Sequence, residues 1–117
     1  MGKLTTHVLD TAQGIPAERV EFALFRIDGD LRTEVTRGRT NSDGRLDEPL
    51  LEGDAFDATT YELAFDIGNY FHHQPLDVTE PPFLDIVTIR FTVADAGENF
   101  HVPLLVSPWS HSTYRGS

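Results

Sequence analysis

Polar and apolar residues alternate with a period of two along much of the chain. In YELAFDI, Tyr61, Leu63, Phe65 and Ile67 share one face, and Glu62, Ala64 and Asp66 share the other. In DIVTIRFTV, Val87, Ile89, Phe91 and Val93 line up opposite Thr88, Arg90 and Thr92. Successive side chains of an extended backbone point to opposite faces, so each stretch predicts a strand with one dry and one wet side. VEFALFRID and LRTEVTRG predict two more, joined by a short DGD turn, while NSDGR and ADAGEN supply further turns. Only DIGNYFHHQ suggests a helical turn, flanked by polar residues and stopped before Pro75. Roughly seven or eight short strands between such turns predict an all-β sandwich or barrel. No linker, internal repeat or low-complexity segment divides residues 1–117, which read as a single domain.

Two segments depart from the one-face rule. In LTTHVLD, Leu4 and Val8 lie on one face while His7 and Leu9 lie on the other. In FHVPLLV, Phe100, Val102, Leu104 and Val106 share a face, and His101, Pro103 and Leu105 share the opposite one. A sandwich strand normally turns one face to water, so apolar residues on both faces suggest that the outer one is also covered, most simply by another subunit. Each of these outer faces carries a histidine. On the residues alone, two satisfied, half-buried histidines in a plain dimer interface are the favoured account.

Composition narrows the function classes. The 117 residues are 39% hydrophobic with eight Phe, enough for one core without staples, and there is no cysteine for a disulfide, a thiolate nucleophile or a Cys-type zinc site. Nineteen acidic against nine basic residues give a net charge of -10, the wrong sign for a nucleic-acid surface. The opening MGKLTTHVLD lacks the apolar stretch of an export signal and no segment reaches transmembrane length. A cytoplasmic protein without a membrane partner is the expectation.

Histidine is the side chain suited to proton transfer near neutral pH. His72 and His73 sit in a polar stretch and read as solvated; His111, in SPWSHST, reads as exposed or at a rim. His7 and His101 differ, because an apolar strand obliges a neighbour or a substrate to satisfy their polar atoms. Arg45 follows the Asp-Gly turn of TNSDGRL, where a guanidinium is either a solvated charge or a fork for a carbonyl or carboxylate. A zinc site from His7, His101 and His111 lacks any local ligand spacing, and a Ser117–His7–Asp10 triad lacks a strained elbow around the serine. No metal is expected.

Taken together, LTTHVLDTAQGIPA, TNSDGRL and FHVPLLVSPWSHSTYRGS, in that order and with YELAFDIGNYF between them, resemble the 5-hydroxyisourate hydrolases, the enzyme branch of the transthyretin family. The resemblance covers essentially the whole chain. It implies a transthyretin-like sandwich of two antiparallel sheets with about eight strands and one short helix. It also implies a homotetramer, a dimer of dimers with active sites where the dimers meet, which would cover the outer faces bearing the two histidines. The implied reaction, in urate and hence purine breakdown, opens 5-hydroxyisourate to 2-oxo-4-hydroxy-4-carboxy-5-ureidoimidazoline without a cofactor.

Carried over by motif, the resemblance assigns catalysis to His7, Arg45, His101 and Ser117. It assigns substrate binding to His7, Arg45, Tyr114, Arg115 and Gly116, with the Tyr-Arg-Gly-Ser ending folded back to line the site. Hydrolysis of a ring amide needs a base for water, a donor for the oxyanion and a proton for the departing nitrogen, which two histidines and an arginine can supply. Which histidine is base and which is acid stays open at this point. The rival reading is a small-molecule carrier like transthyretin, whose fold is the same but which lacks the Tyr-Arg-Gly-Ser ending and the two histidines.

Overall fold

The structure, a computed structural model, describes residues 1–116. Among the described residues nine strands fall in two sheets: β1 (Lys3–Asp10), β2 (Ile15–Pro16), β3 (Glu21–Asp28), β4 (Leu31–Arg39), β5 (Leu51–Glu52), β6 (Thr60–Asp66), β7 (Ile86–Thr92), β8 (Phe100–Val106) and β9 (His111–Thr113). One sheet runs β2-β1-β8-β9 with β5 paired to β1; the other runs β4-β3-β6-β7. The sandwich expected from the alternation is present, with three strands of two or three residues too short to leave a periodic signal.

The dry faces meet as expected. Leu4 and Val8 of β1, Leu24 of β3, Leu63 and Phe65 of β6, Val87 of β7 and Leu104 and Val106 of β8 are all buried in one cluster. Ile67 joins that cluster from a different element. Asp66 caps a helix, α1 (Ile67–His72), by accepting from the Asn69 N–H at 3.2 Å, so the strand ends one residue earlier than the alternation suggests. Glu62, expected on the wet face, is only 8% exposed. Arg32 Nε of β4 at 2.7 Å, reaching across β3, and Arg90 Nε of the adjacent β7 at 3.4 Å close over it.

One pairing decides where the chemistry lies. β1 and β8 run parallel, with Leu4 opposite Phe100, Thr5 opposite His101, His7 opposite Pro103 and Asp10 opposite Val106. Alternation is the same for parallel and antiparallel strands, so the sequence pattern could not reveal this direction. A parallel pair needs a crossover, and here it is nearly the whole chain. The buried Asp10 carboxylate ends β1. It accepts from the Ala12 and Gln13 N–H groups at 2.9 and 3.0 Å, from Gln13 Nε2 at 2.7 Å and from the Tyr70 hydroxyl of α1 at 2.8 Å. Burial, then this bond, raises the Tyr70 phenol well above its ordinary pKa.

Candidate active site on the outer face of β1 and β8

With Leu4, Thr6 and Val8 turned inward, Thr5, His7 and Leu9 must face outward, and beside them stand His101 and Leu105 of β8. All five are half-buried. The register sets the two histidines on adjacent strands two residues apart along the strand direction. Strands about 4.8 Å apart with a rise of ~3.3 Å per residue place their backbones roughly 8 Å apart, a gap suited to the edge of a small ring.

Each imidazole is held by one neighbour. His101 Nδ1 lies 2.8 Å from Thr5 Oγ1. Nε2 is therefore the nitrogen of His101 left for a ligand. His7 Nε2 lies 2.9 Å from the Asp43 carbonyl. A carbonyl oxygen only accepts, so Nε2 carries the hydrogen and Nδ1 holds the lone pair of the neutral ring. His101 is kept below its ordinary pKa near 6.5, first by burial, then by the positive charge of Arg45 and of His7.

Arg45 reaches the face from the loop after β4. The loop turns at Gly44, whose φ of +73° is the left-handed region glycine adopts freely, and a Cβ there would collide with the Val8 carbonyl. The Val8 N–H donates to the Gly44 carbonyl at 2.8 Å, stitching the loop to β1 next to His7. Within the loop the Asn41 side-chain carbonyl accepts from the backbone N–H of Asp43 at 2.9 Å and of Arg45 at 3.1 Å.

The chain end returns to this face. The Gly116 N–H donates to the His101 carbonyl at 2.7 Å. A Cβ on Gly116 would lie 2.8 Å from His101 Cδ2, so only glycine lets the tail pack this closely on the ring. His7, His101 and Gly116 are thus brought together, with the backbone of Arg45 in the loop stitched beside His7. Arg115 turns elsewhere: its guanidinium sits 3.9 Å from the centroid of the Phe100 ring and donates to the Asn99 carbonyl at 3.2 Å. Tyr114 is exposed, and Ser117 lies outside the described residues.

His72 and His73 are exposed on α1 and at its end, and His111 is exposed on β9. Among the described residues no three His, Asp or Glu side chains gather as a metal site would require. A hollow of about 740 Å³ bordered by Arg19, Arg39, Tyr70 and His73 takes in none of His7, Arg45, His101 and Gly116. Thr5 and Asn41 are the site's unforeseen members, each of an ordinary type for its strand or turn.

A family model described as the HIUase/Transthyretin family matches residues 4–116. The chain belongs to that family. Within the HIUase/Transthyretin family, it is 56% identical over 117 residues to a 5-hydroxyisourate hydrolase of Ralstonia nicotianae, covering 100% of both chains. It superposes on the crystal structure of an (S)-allantoin synthase with a TM-score of 0.93 at 44% identity, covering 99% of this chain and 44% of that one. The chain therefore spans less than half of that protein. Sea bream transthyretin in complex with thyroxine gives a TM-score of 0.85 at 25% identity, covering 97% of this chain and 94% of that one. Among the described residues, no helix is long and apolar enough to cross a membrane.

Proposed function

We propose that the chain hydrolyses 5-hydroxyisourate, opening its six-membered ring to 2-oxo-4-hydroxy-4-carboxy-5-ureidoimidazoline in urate breakdown. The observation that carries this reading is the convergence of two differently held imidazoles on a single open sheet face, with the loop that bears Arg45 stitched to the strand of one of them. His101, kept neutral by burial and neighbouring charge, is the base: its Nε2 takes a proton from water while Nδ1–H donates to Thr5 Oγ1. The water oxygen bonds to the ring carbonyl carbon, and Arg45 stabilises the developing oxyanion. The ring C–N bond then breaks, and the departing nitrogen takes the proton that His101 Nε2 gained from water, while His7, its hydrogen on Nε2, accepts a hydrogen bond from the substrate at Nδ1. Gly116 packs the tail against His101. By the family motif we assign the hydroxyls of Tyr114 and Ser117 to the substrate as well, whereas Arg115, over Phe100 in the single chain, has no part in this scheme. Neither a metal nor a cofactor takes part in this scheme.

Half-exposed Leu9 and Leu105 flank the histidines. A second copy of the chain laid over this face would cover them and enclose the substrate, consistent with a homotetramer whose sites lie between dimers.

The test is the ultraviolet decay of 5-hydroxyisourate generated in place by urate oxidase, with chelator present. Accelerated decay that disappears on deleting residues 114 to 117 supports the hydrolase. Decay at the spontaneous rate, from protein shown by light scattering to be an assembled tetramer, favours a carrier in the manner of transthyretin.

A further inference from the structure

We infer that Asn41 is a positioning residue of this site: through one side-chain amide it builds the loop that holds His7 in a single tautomer and presents Arg45. The kinetic part rests on the hydrolase reading above; the tautomer part does not.

Five hydrogen bonds of the loop meet at Asn41. Its Oδ1 accepts from the Asp43 N–H at 2.9 Å and the Arg45 N–H at 3.1 Å, and its Nδ2 donates to Asp47 Oδ1 at 3.0 Å. Its own N–H donates to the Arg45 carbonyl at 2.7 Å, and its carbonyl accepts from the Gly44 N–H at 2.9 Å. The two bonds to Oδ1 fix the peptide plane that enters Asp43 and the one that enters Arg45. The plane between them, pinned by the Gly44 N–H on the Asn41 backbone carbonyl, carries the Asp43 carbonyl that receives His7 Nε2–H at 2.9 Å. The Asn41 side chain thus clamps both flanks of that acceptor and sets the origin of the Arg45 side chain. Alanine has no acceptor to replace Oδ1, serine is too short to reach both N–H groups, and aspartate keeps the acceptor while losing the donor to Asp47.

A strut that merely held the loop would be indifferent to the protonation pattern of His7. A positioning residue is not, because the Asp43 carbonyl is what confines the hydrogen to Nε2. When that carbonyl wanders, neutral His7 populates the Nδ1–H form, whose lone pair faces the wrong partner. Displacements near 1 Å in such groups lower rates by up to about 10².

The experiment compares the assembled wild-type protein with Asn41→Ala, Asn41→Asp and the exchange Asn41→Asp/Asp47→Asn. Imidazole nitrogens are observed by 15N-histidine NMR above pH 8, and steady-state kinetics are run on 5-hydroxyisourate. We expect His7 to show only the Nε2–H form in wild type and a mixture in Asn41→Ala, with kcat lowered about 10- to 100-fold and KM changed less. The acceptor-preserving Asn41→Asp should recover most of the activity, and the exchange, which rebuilds the bond to residue 47 with reversed polarity, more still. Asn41→Ala with an unchanged kcat, or with a lowered kcat but an unaltered His7 tautomer, overturns the inference. If Asn41→Ala does not assemble, Asn41→Ser carries the same comparison. A wild-type protein without hydrolase activity refutes the reading above, while the NMR arm still decides whether Asn41 governs His7.

Discussion

Replacing Gly116 with alanine adds one methyl group at a point where the structure has no room for it. The new Cβ would stand 2.8 Å from His101 Cδ2, 3.1 Å from its Cβ and 3.2 Å from its Cγ. Carbon atoms attract best at about 3.5–4.0 Å, so a shift of roughly 0.5–1 Å is needed. Two groups can give way. The imidazole can turn, which disturbs the 2.8 Å contact between its Nδ1 and Thr5 Oγ1. Alternatively the tail can lift, which stretches the 2.7 Å bond from the Gly116 N–H to the His101 carbonyl. Either movement displaces part of the proposed site, and a displacement of that size lowers kcat/KM by ~10- to 100-fold. Stability should hardly respond, since one hydrogen bond contributes about 1 kcal/mol and the core lies on the other face of the sheet. Stopped-flow decay of 5-hydroxyisourate, read beside a thermal melt, separates the two effects. A Gly116→Ala protein with wild-type kcat/KM would show that the tail does not set the position of His101.

Other expectations follow from the same geometry. Arg115→Ala should lower kcat/KM far less than Gly116→Ala, because the guanidinium lies over Phe100 in the single chain; an equal or greater loss in the same assay would return Arg115 to the substrate. Thr5→Val keeps the β-branched shape but removes the hydroxyl at His101 Nδ1, so kcat should fall about tenfold, with Thr5→Ser restoring it; a fully active valine variant would leave the hydroxyl without a role. His101 has its pKa depressed by burial and by Arg45 and His7. Its neutral form is therefore favoured by folding, and its contribution to stability is full above the ordinary value near 6.5 and lost as pH falls through the depressed one. Arg45→Leu removes one depressing charge, so the His101 titration should move to higher pH by NMR; an unmoved or lowered midpoint would contradict the placement of Arg45. Asp10→Ala orphans four donors around a buried carboxylate and should destabilise by about 3 kcal/mol in denaturant melts. A loss below about 1 kcal/mol would mean that water replaces the carboxylate.

What the sequence reveals depends on how far apart the interacting residues are. Leu63 and Phe65, or Val87 and Ile89, announce their face through neighbours two positions away, and the structure buries all four. The helix after β6 is legible because Asp66 caps it locally, although the same residue ends the strand before Ile67. His7 and His101 stand out as polar insertions in otherwise apolar strands, and the motifs around them disclose their family. Nothing local tells that β1 and β8 run parallel, or that Thr5 meets a ring ninety-six positions away. Asn41 is hidden for a different reason. Asparagine before an Asp-Gly turn is common for its backbone preferences alone, so a second role in the site leaves no separate mark.

The parallel pairing of the first long strand with one near the chain's end has a consequence for biosynthesis. The two imidazoles are separated by nearly the full length of the polypeptide, and the glycine seated against one of them is residue 116. A ribosome-bound chain cannot align β1 with β8 until β8 itself has left the exit tunnel. Such distant pairings also form slowly, since chain closure comes before its reward. Premature termination or nicking near the end would leave a partly ordered protein with no competent centre, however much of the sandwich survived. Recovery of turnover after dilution from denaturant would then follow the completion of the last pairing, rather than the earlier appearance of local hairpins such as β3–β4.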